Sequence, residues 1–135
     1  MNSFAGRLAH ELEGGWLVTA RHNQLPPPGD WSIWLLLAGR RFGKTRVLAE
    51  MANSWAISGQ CKRMAVVAAT ASDARDVIVE GESGILACAP DWAVPQYEVM
   101  RRRLTWPNGA IATNAERPLS LGGANWPSCP RPCEK

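Results

Sequence analysis

The sequence predicts an α/β fold: a partly parallel sheet with flanking helices and a β-hairpin. Three observations carry this reading. Two apolar runs, Trp31 to Leu37 and Met64 to Ala69, have the length of buried strands. Each is followed by residues at helical spacing. Pro107-Asn108-Gly109 then separates two further strand-like segments, a strong hairpin signal. Strand, helix, strand, helix and hairpin is the order of a layered α/β domain.

Residues 1–20 predict a short amphipathic helix, because Phe4, Leu8 and Leu12 recur at i, i+4 and i+8. Gly14 and Gly15 should end it. Leu25-Pro26-Pro27-Pro28-Gly29-Asp30 predicts a rigid loop, since proline fixes φ and lacks an N–H donor. Trp31 to Leu37 is read as a buried strand; periodicity alone does not separate it from a helix, and the following Gly39 and Gly43 favour the strand. From Lys44 a helix should run to about Ser58, with Val47, Leu48, Met51 and Trp55 three to four residues apart and Gly59 as its stop.

Met64 to Ala69 is the second strand. Thr70 or Ser72 can cap the next helix, whose first turn carries Asp73 and Asp76 at the positive helix end. That helix should end by Gly81, with another turn or two from Ser83 to Cys88 before Pro90. Tyr97 to Trp106 is read as one long strand, and Ala110 to Thr113 as its antiparallel return. After Thr113 the periodicity disappears. Residues 114–135 hold four of the ten prolines and read as an irregular, disordered or out-of-frame tail. The expected division is therefore 1–113 as the domain and 114–135 as tail.

A length of 135 residues sets the prior at one domain. Neither the 46% hydrophobic nor the 20% charged residues point to wholesale disorder. A net charge of +3 does not diagnose a nucleic-acid binder. Arg101-Arg102-Arg103 is the one dense basic run, a solvated face by default and a phosphate contact as the alternative. Cys61, Cys88, Cys129 and Cys133 form no CxxC pair, and His10 and His22 are the only histidines, which argues against zinc. Cys61 and Cys88 sit in apolar contexts and read as buried free thiols. Arg7, Glu11 and Glu13 interrupt any signal-peptide run, and the longest apolar stretch is too short to span a bilayer. No membrane association and a cytoplasmic location are expected.

The chemistry lies in Ala38-Gly39-Arg40-Arg41-Phe42-Gly43-Lys44-Thr45. Binding a triphosphate takes several donors converging on one point. A loop between a strand and a helix offers successive backbone N–H groups, and the helix N-terminus adds partial positive charge. Gly43 lets the backbone approach closely. Lys44 reaches the β- and γ-phosphates as a point charge, and Thr45 offers a hydroxyl to Mg²⁺. The usual pattern starts with glycine; here Ala38 stands in that place. Arg40 and Arg41 carry forked donors suited to a γ-phosphate or a carboxylate, or else face solvent. Gln24 is either an adenine contact, through a bidentate amide, or a surface polar residue.

The segments Gln24 to Trp31, Trp34 to Arg46, Val66 to Val77, Val79 to Gly84 and Arg103 to Ala110 together resemble the start of terminase large subunits of tailed phages and gene-transfer agents. The resemblance covers roughly residues 16–113. It implies the P-loop ATPase domain of a motor that drives double-stranded DNA into a procapsid, in a bacterial host, using ATP and Mg²⁺. It further implies portal and small terminase subunit as partners, a ring of copies where the chain is complete, and a separate nuclease domain. By that resemblance Lys44 and Thr45 bind phosphate and Mg²⁺, Arg40 is the loop arginine, and Gln24 is an adenine contact.

The family then continues with a Leu-Arg-Gly stretch and an apolar strand ending in Asp-Glu. Leu121-Gly122-Gly123 has no arginine, and the residues from Ala124 to Pro130 are not an apolar strand. The expectation is a chain truncated before the acidic strand: an incomplete core and nucleotide binding without hydrolysis. The alternative is a non-enzymatic remnant or interaction module for DNA, portal or intact terminase subunits, with Arg101 to Arg103 as its contact surface. A helicase or small kinase is disfavoured, since no second acidic motif, lid or acceptor-site base is present.

Overall fold

The computed structural model describes residues 15–116. Phe4, Leu8 and Leu12 of the expected N-terminal helix, and all of the tail beyond Glu116, lie outside the described residues. Gly15 caps the start of a short helix, α1 (Trp16–Thr19), so it begins a helical turn here. A 3₁₀ turn follows at His22–Gln24. Helix α2 (Lys44–Ser58) has the predicted bounds, with left-handed glycines at both ends: Gly43 at φ +91° and Gly59 at φ +78°.

Strand β1 (Arg63–Ala68) leads to Thr70, whose Oγ1 accepts the Asp73 N–H at 3.1 Å and caps α3 (Ala71–Asp73). The helix continues with π geometry over Ala74–Val79, closed by the Glu80 N–H donating to the Arg75 carbonyl at 2.9 Å. Gly81 is required here, because a Cβ at that position would lie 2.5 Å from the Val77 carbonyl oxygen. Helix α4 (Ile85–Cys88) supplies the extra turn expected before Pro90.

Strands β2 (Gln96–Glu98), β3 (Arg103–Thr105) and β4 (Ile111–Glu116) complete a four-stranded mixed sheet in the order β1-β4-β3-β2. β1 runs parallel to β4, from Arg63 opposite Ile111 to Ala68 opposite Glu116. β4 pairs antiparallel with β3, and β3 with β2. The Pro107-Asn108-Gly109 turn forms as predicted: Gly109 stands at φ +87°, and the Trp106 N–H donates to the Ala110 carbonyl at 2.9 Å. Asn108 fastens that turn to the end of α2, its Nδ2 donating to the Ala56 carbonyl at 2.6 Å.

Three strand expectations are corrected. Tyr97 to Trp106 is not one strand; the chain turns between Val99 and Arg102, where Arg102 has φ +50°, and β2 folds back on β3. The return strand does not stop at Thr113 but runs to Glu116, because β1 offers a parallel partner for all six residues. Asn114, Ala115 and Glu116 thus belong to the sheet and not to an irregular tail. Most consequentially, Trp31 to Leu37 forms no strand. Among the described residues, β1 is paired on one edge only, and the apolar run does not join its other edge. Ile33, Leu35 and Leu37 are 86%, 71% and 84% exposed. Trp34 and Leu36 instead line, with Met51 and Trp55 of α2 and Ala65 and Val67 of β1, a cleft of about 510 Å³.

The core lies between α2 and the sheet. Ala49, Ala52 and Ala56 are buried on one face of α2, where small side chains allow close approach to Val66, Leu104, Ala112 and Trp106. Val79 and Ile85 close the same core from the segment after β1. Full burial of one such large apolar side chain contributes about 1.5–3 kcal/mol. This packing holds the start of α2 beside the segment that follows β1.

Candidate functional site

The loop from Ala38 to Gly43 leads into the first turn of α2, the longest helix among the described residues. Arg41 adopts φ +65° and Gly43 φ +91°. A left-handed arginine is uncommon and costs free energy, so surrounding contacts must hold it. Two left-handed residues two positions apart bend the backbone into a tight arch. Lys44 closes that arch: its Nζ donates to the carbonyls of Ala38 at 2.7 Å and Gly39 at 2.8 Å. The ammonium therefore sits within the mouth of its own loop.

Gln24 reaches the same loop from the 3₁₀ turn. It is 7% exposed, so the surface reading of this residue is corrected. Its Nε2 donates to the Phe42 carbonyl at 2.6 Å, and its Oε1 accepts the Arg21 N–H at 2.9 Å. The tertiary structure thus brings Gln24, Ala38, Gly39, Phe42, Gly43, Lys44 and Thr45 to one place. Arg40 is exposed on the loop and is not part of the cleft wall.

A cleft of about 410 Å³ opens on the loop, with Arg41, Lys44 and Thr45 on one wall and Asp76, Gly81 and Glu82 on the other. In the sequence Asp76 is a helix-end charge, and nothing there marks Glu82. Nothing in their spacing links them to residues some thirty positions earlier; the fold does. The Arg75 guanidinium, hydrogen-bonded to Asp76 at 2.6 Å, holds the Asp76 carboxyl below its ordinary range and raises its own proton affinity. Asp76 is thus an anion at neutral pH. Arg46, also on the cleft wall, is engaged with Glu50 at 3.0 Å and lies over the Trp16 ring at 5.9 Å. The cleft offers backbone donors and cations from one side and carboxylates from the other, a pattern able to take an anion together with a divalent cation.

Other candidates lie elsewhere. Arg101 and Arg103 reach Glu98 at 3.4 and 3.3 Å, in the β2–β3 arm at the sheet edge opposite β1. Their charge is partly compensated there. Cys61 is buried and disulfide-bonded, which corrects the expectation of a free thiol. Cys88 is free but only half-buried; burial, with Glu50 adding and Arg46 opposing, pushes its thiol above the ordinary range. Among the described residues no three His, Cys, Asp or Glu side chains gather where they could hold a metal. No described helix is long and apolar enough to cross a membrane.

The family model described as terminase large subunit, T4likevirus-type, N-terminal, matches residues 35–117, more than half of the chain. No curated protein and no solved structure matches it.

Proposed function

Since the chain belongs to the family of T4-like terminase large subunit N-terminal regions, we propose that it is the nucleotide-binding part of an ATP-driven DNA-packaging motor. The observation that carries this reading is the Lys44 arch. An ammonium held by the Ala38 and Gly39 carbonyls, at the start of a fifteen-residue helix, faces a cleft large enough for phosphate groups. On this reading Ala38 to Thr45 is a phosphate loop of the Walker A type, in a fold of the P-loop NTPase kind.

ATP with Mg²⁺ is the group these residues fit. The backbone N–H groups from Gly39 to Thr45 and the α2 N-terminus supply donors toward the phosphates. Lys44 would exchange its two carbonyl partners for phosphate oxygens. Thr45, which lines the same cleft as Asp76 and Glu82, would offer its hydroxyl to Mg²⁺. Arg40 is the candidate partner of the γ-phosphate or of a carboxylate, and Arg41 of phosphate within the cleft.

Hydrolysis needs a carboxylate that activates water as well as a positioned phosphate. Beyond Glu116 the only acidic residue in these 135 is Glu134. The family's water-activating carboxylate ends an apolar strand that residues 117–135 do not offer, so these residues by themselves are proposed to bind nucleotide without turning it over. Double-stranded DNA, portal and small terminase subunit in the bacterial cytoplasm are the partners this family implies. A purely non-enzymatic docking role through Arg101 to Arg103 gains no support, because Glu98 already engages two of the three.

Titration calorimetry with Mg·ATP tests the reading. The wild type should bind, and Lys44→Ala should lose at least tenfold in affinity, as befits loss of a charge-assisted contact to phosphate. Equal affinities for the two proteins would remove the site assignment.

A further inference from the structure

The Gln24 side chain has both ends of its amide committed to the protein backbone. Nε2 donates to the Phe42 carbonyl at 2.6 Å, and Oε1 accepts the Arg21 N–H at 2.9 Å. A bidentate contact to an adenine edge requires the donor and the acceptor of the amide at once. One further N–H and one lone pair remain on the amide, but its two ends are held by two different segments and the residue is only 7% exposed, which leaves little of that edge open to a base.

The place where Gln24 attaches is informative. Phe42 lies between Arg41 and Gly43, the two left-handed positions of the loop. A methyl group added to Gly43 would lie 3.1 Å from Gln24 Nε2, so the amide is packed against the arch as well as bonded to it. Left-handed backbone at an arginine persists only where neighbours over-determine it. A buried hydrogen bond to the adjoining carbonyl is such a constraint. It also ties the loop to the 3₁₀ turn His22–Gln24, on the far side of the proline-rich segment from the apolar run.

We infer that Gln24 is a positioning residue that holds the 38–45 loop in its phosphate-receiving arch through the Phe42 carbonyl, and that it acts on the phosphates of a nucleotide rather than on the base. This rests on the phosphate-loop reading proposed above. It also changes the role expected of Gln24 from the sequence, where an adenine contact was implied.

Two predictions separate the roles. A base contact affects ATP against GTP and leaves inorganic tripolyphosphate untouched. A loop brace affects tripolyphosphate and ATP alike and leaves the ATP-to-GTP ratio unchanged. The experiment uses the full 135-residue chain and the variants Gln24→Met, which keeps the volume without the amide, and Gln24→Glu, which keeps the acceptor for Arg21 without the donor. Affinities for Mg·tripolyphosphate, Mg·ATP and Mg·GTP are measured by calorimetry. Amide spectra of the ligand-free proteins are recorded alongside.

For Gln24→Met, tripolyphosphate and ATP affinities should fall together by about three- to tenfold, the loss typical of one hydrogen bond. In the ligand-free spectra of both variants, the amide signals of Phe42, Gly43 and Lys44 should shift while those of β1 and β4 stay in place. A merely stabilising role would lower the melting point without moving the loop signals selectively. Unchanged tripolyphosphate affinity with a loss of preference for ATP over GTP would overturn the inference in favour of a base contact. Unchanged affinities and loop signals would overturn it outright. Should the wild type bind neither tripolyphosphate nor ATP, the phosphate-loop reading itself fails, and this inference with it.

Discussion

Trp106 donates its indole N–H to Oδ1 of Asn53 across 3.0 Å in the interior of the protein. Both are almost wholly buried, at 1% and 2% exposure. The other end of the Asn53 amide donates to the Ile85 carbonyl at 3.0 Å. One side chain of α2 thus links the hairpin to α4, and these contacts set the angle at which α2 meets the sheet. Since the loop of the candidate site is continuous with α2, this buried pair is part of what places it.

Asn53→Ala should therefore destabilise far more than a surface change. It leaves the Trp106 N–H and the Ile85 carbonyl without partners, at about 1–3 kcal/mol for each buried group. The expected loss is about 2–4 kcal/mol, a large part of the ordinary stability of a domain. Urea denaturation of the two proteins, with comparison of midpoints at equal slope, checks it. A loss below about half a kcal/mol would mean that water replaces the amide.

Purified chain should release no phosphate from ATP above background, with or without DNA. The reason is chemical: the cations and backbone donors of the loop are present, and no carboxylate of the kind expected after an apolar strand follows Glu116. Steady release abolished by Lys44→Ala would overturn this and make Asp76 and Glu82, across the cleft, the first carboxylates to replace.

Asp76→Asn should strengthen binding of Mg²⁺-free anions by about twofold at most, because the carboxylate on the far wall repels an anion at the loop while solvent screens an exposed charge. Because Arg75 lowers the Asp76 proton affinity, the carboxylate stays charged well into acid. The sign follows: its pairing with Arg75 contributes above the ordinary aspartate range and is lost as pH falls through the lowered value. Wild-type anion affinity should therefore approach that of the variant only in strong acid. Calorimetric titration with sulfate, which keeps its charge from pH 7 into acid, down to the lowest pH at which both proteins stay folded, is the measurement; identical affinities at pH 7 would place Asp76 outside the anion's field.

Amides from Ile33 to Leu37 should exchange with solvent quickly, while those of β1 and β4 on their shared ladder are protected. Exposed apolar side chains beside a strand edge also favour pairing between copies. The double variant Leu35→Thr/Leu37→Thr should shift light scattering toward monomer without changing the melt. Strong protection across Leu35 to Leu37 would mean that the run is paired in solution.

The local elements were legible in the sequence because their causes are local. Gly43 and Gly59 bound a helix whose spacing is its own; the Thr70 cap needs only Asp73, three residues on; Pro107-Asn108-Gly109 makes its turn from its own dihedral preferences. The candidate loop was visible for the same reason, since Gly43, Lys44 and Thr45 are consecutive. Strands were another matter. An apolar run states a need for burial, and only a partner's free N–H and C=O groups turn it into a strand. That is why β4 extends to Glu116 against β1, why Tyr97 to Trp106 breaks into two strands, and why Trp31 to Leu37 stays unpaired. The far wall of the cleft, Asp76 and Glu82, and the bond from Gln24 to the Phe42 carbonyl were likewise decided by tertiary structure. They join segments separated by tens of residues or by a run of prolines, and sequence spacing carries no record of which distant groups the packing of α2 on the sheet will bring within reach.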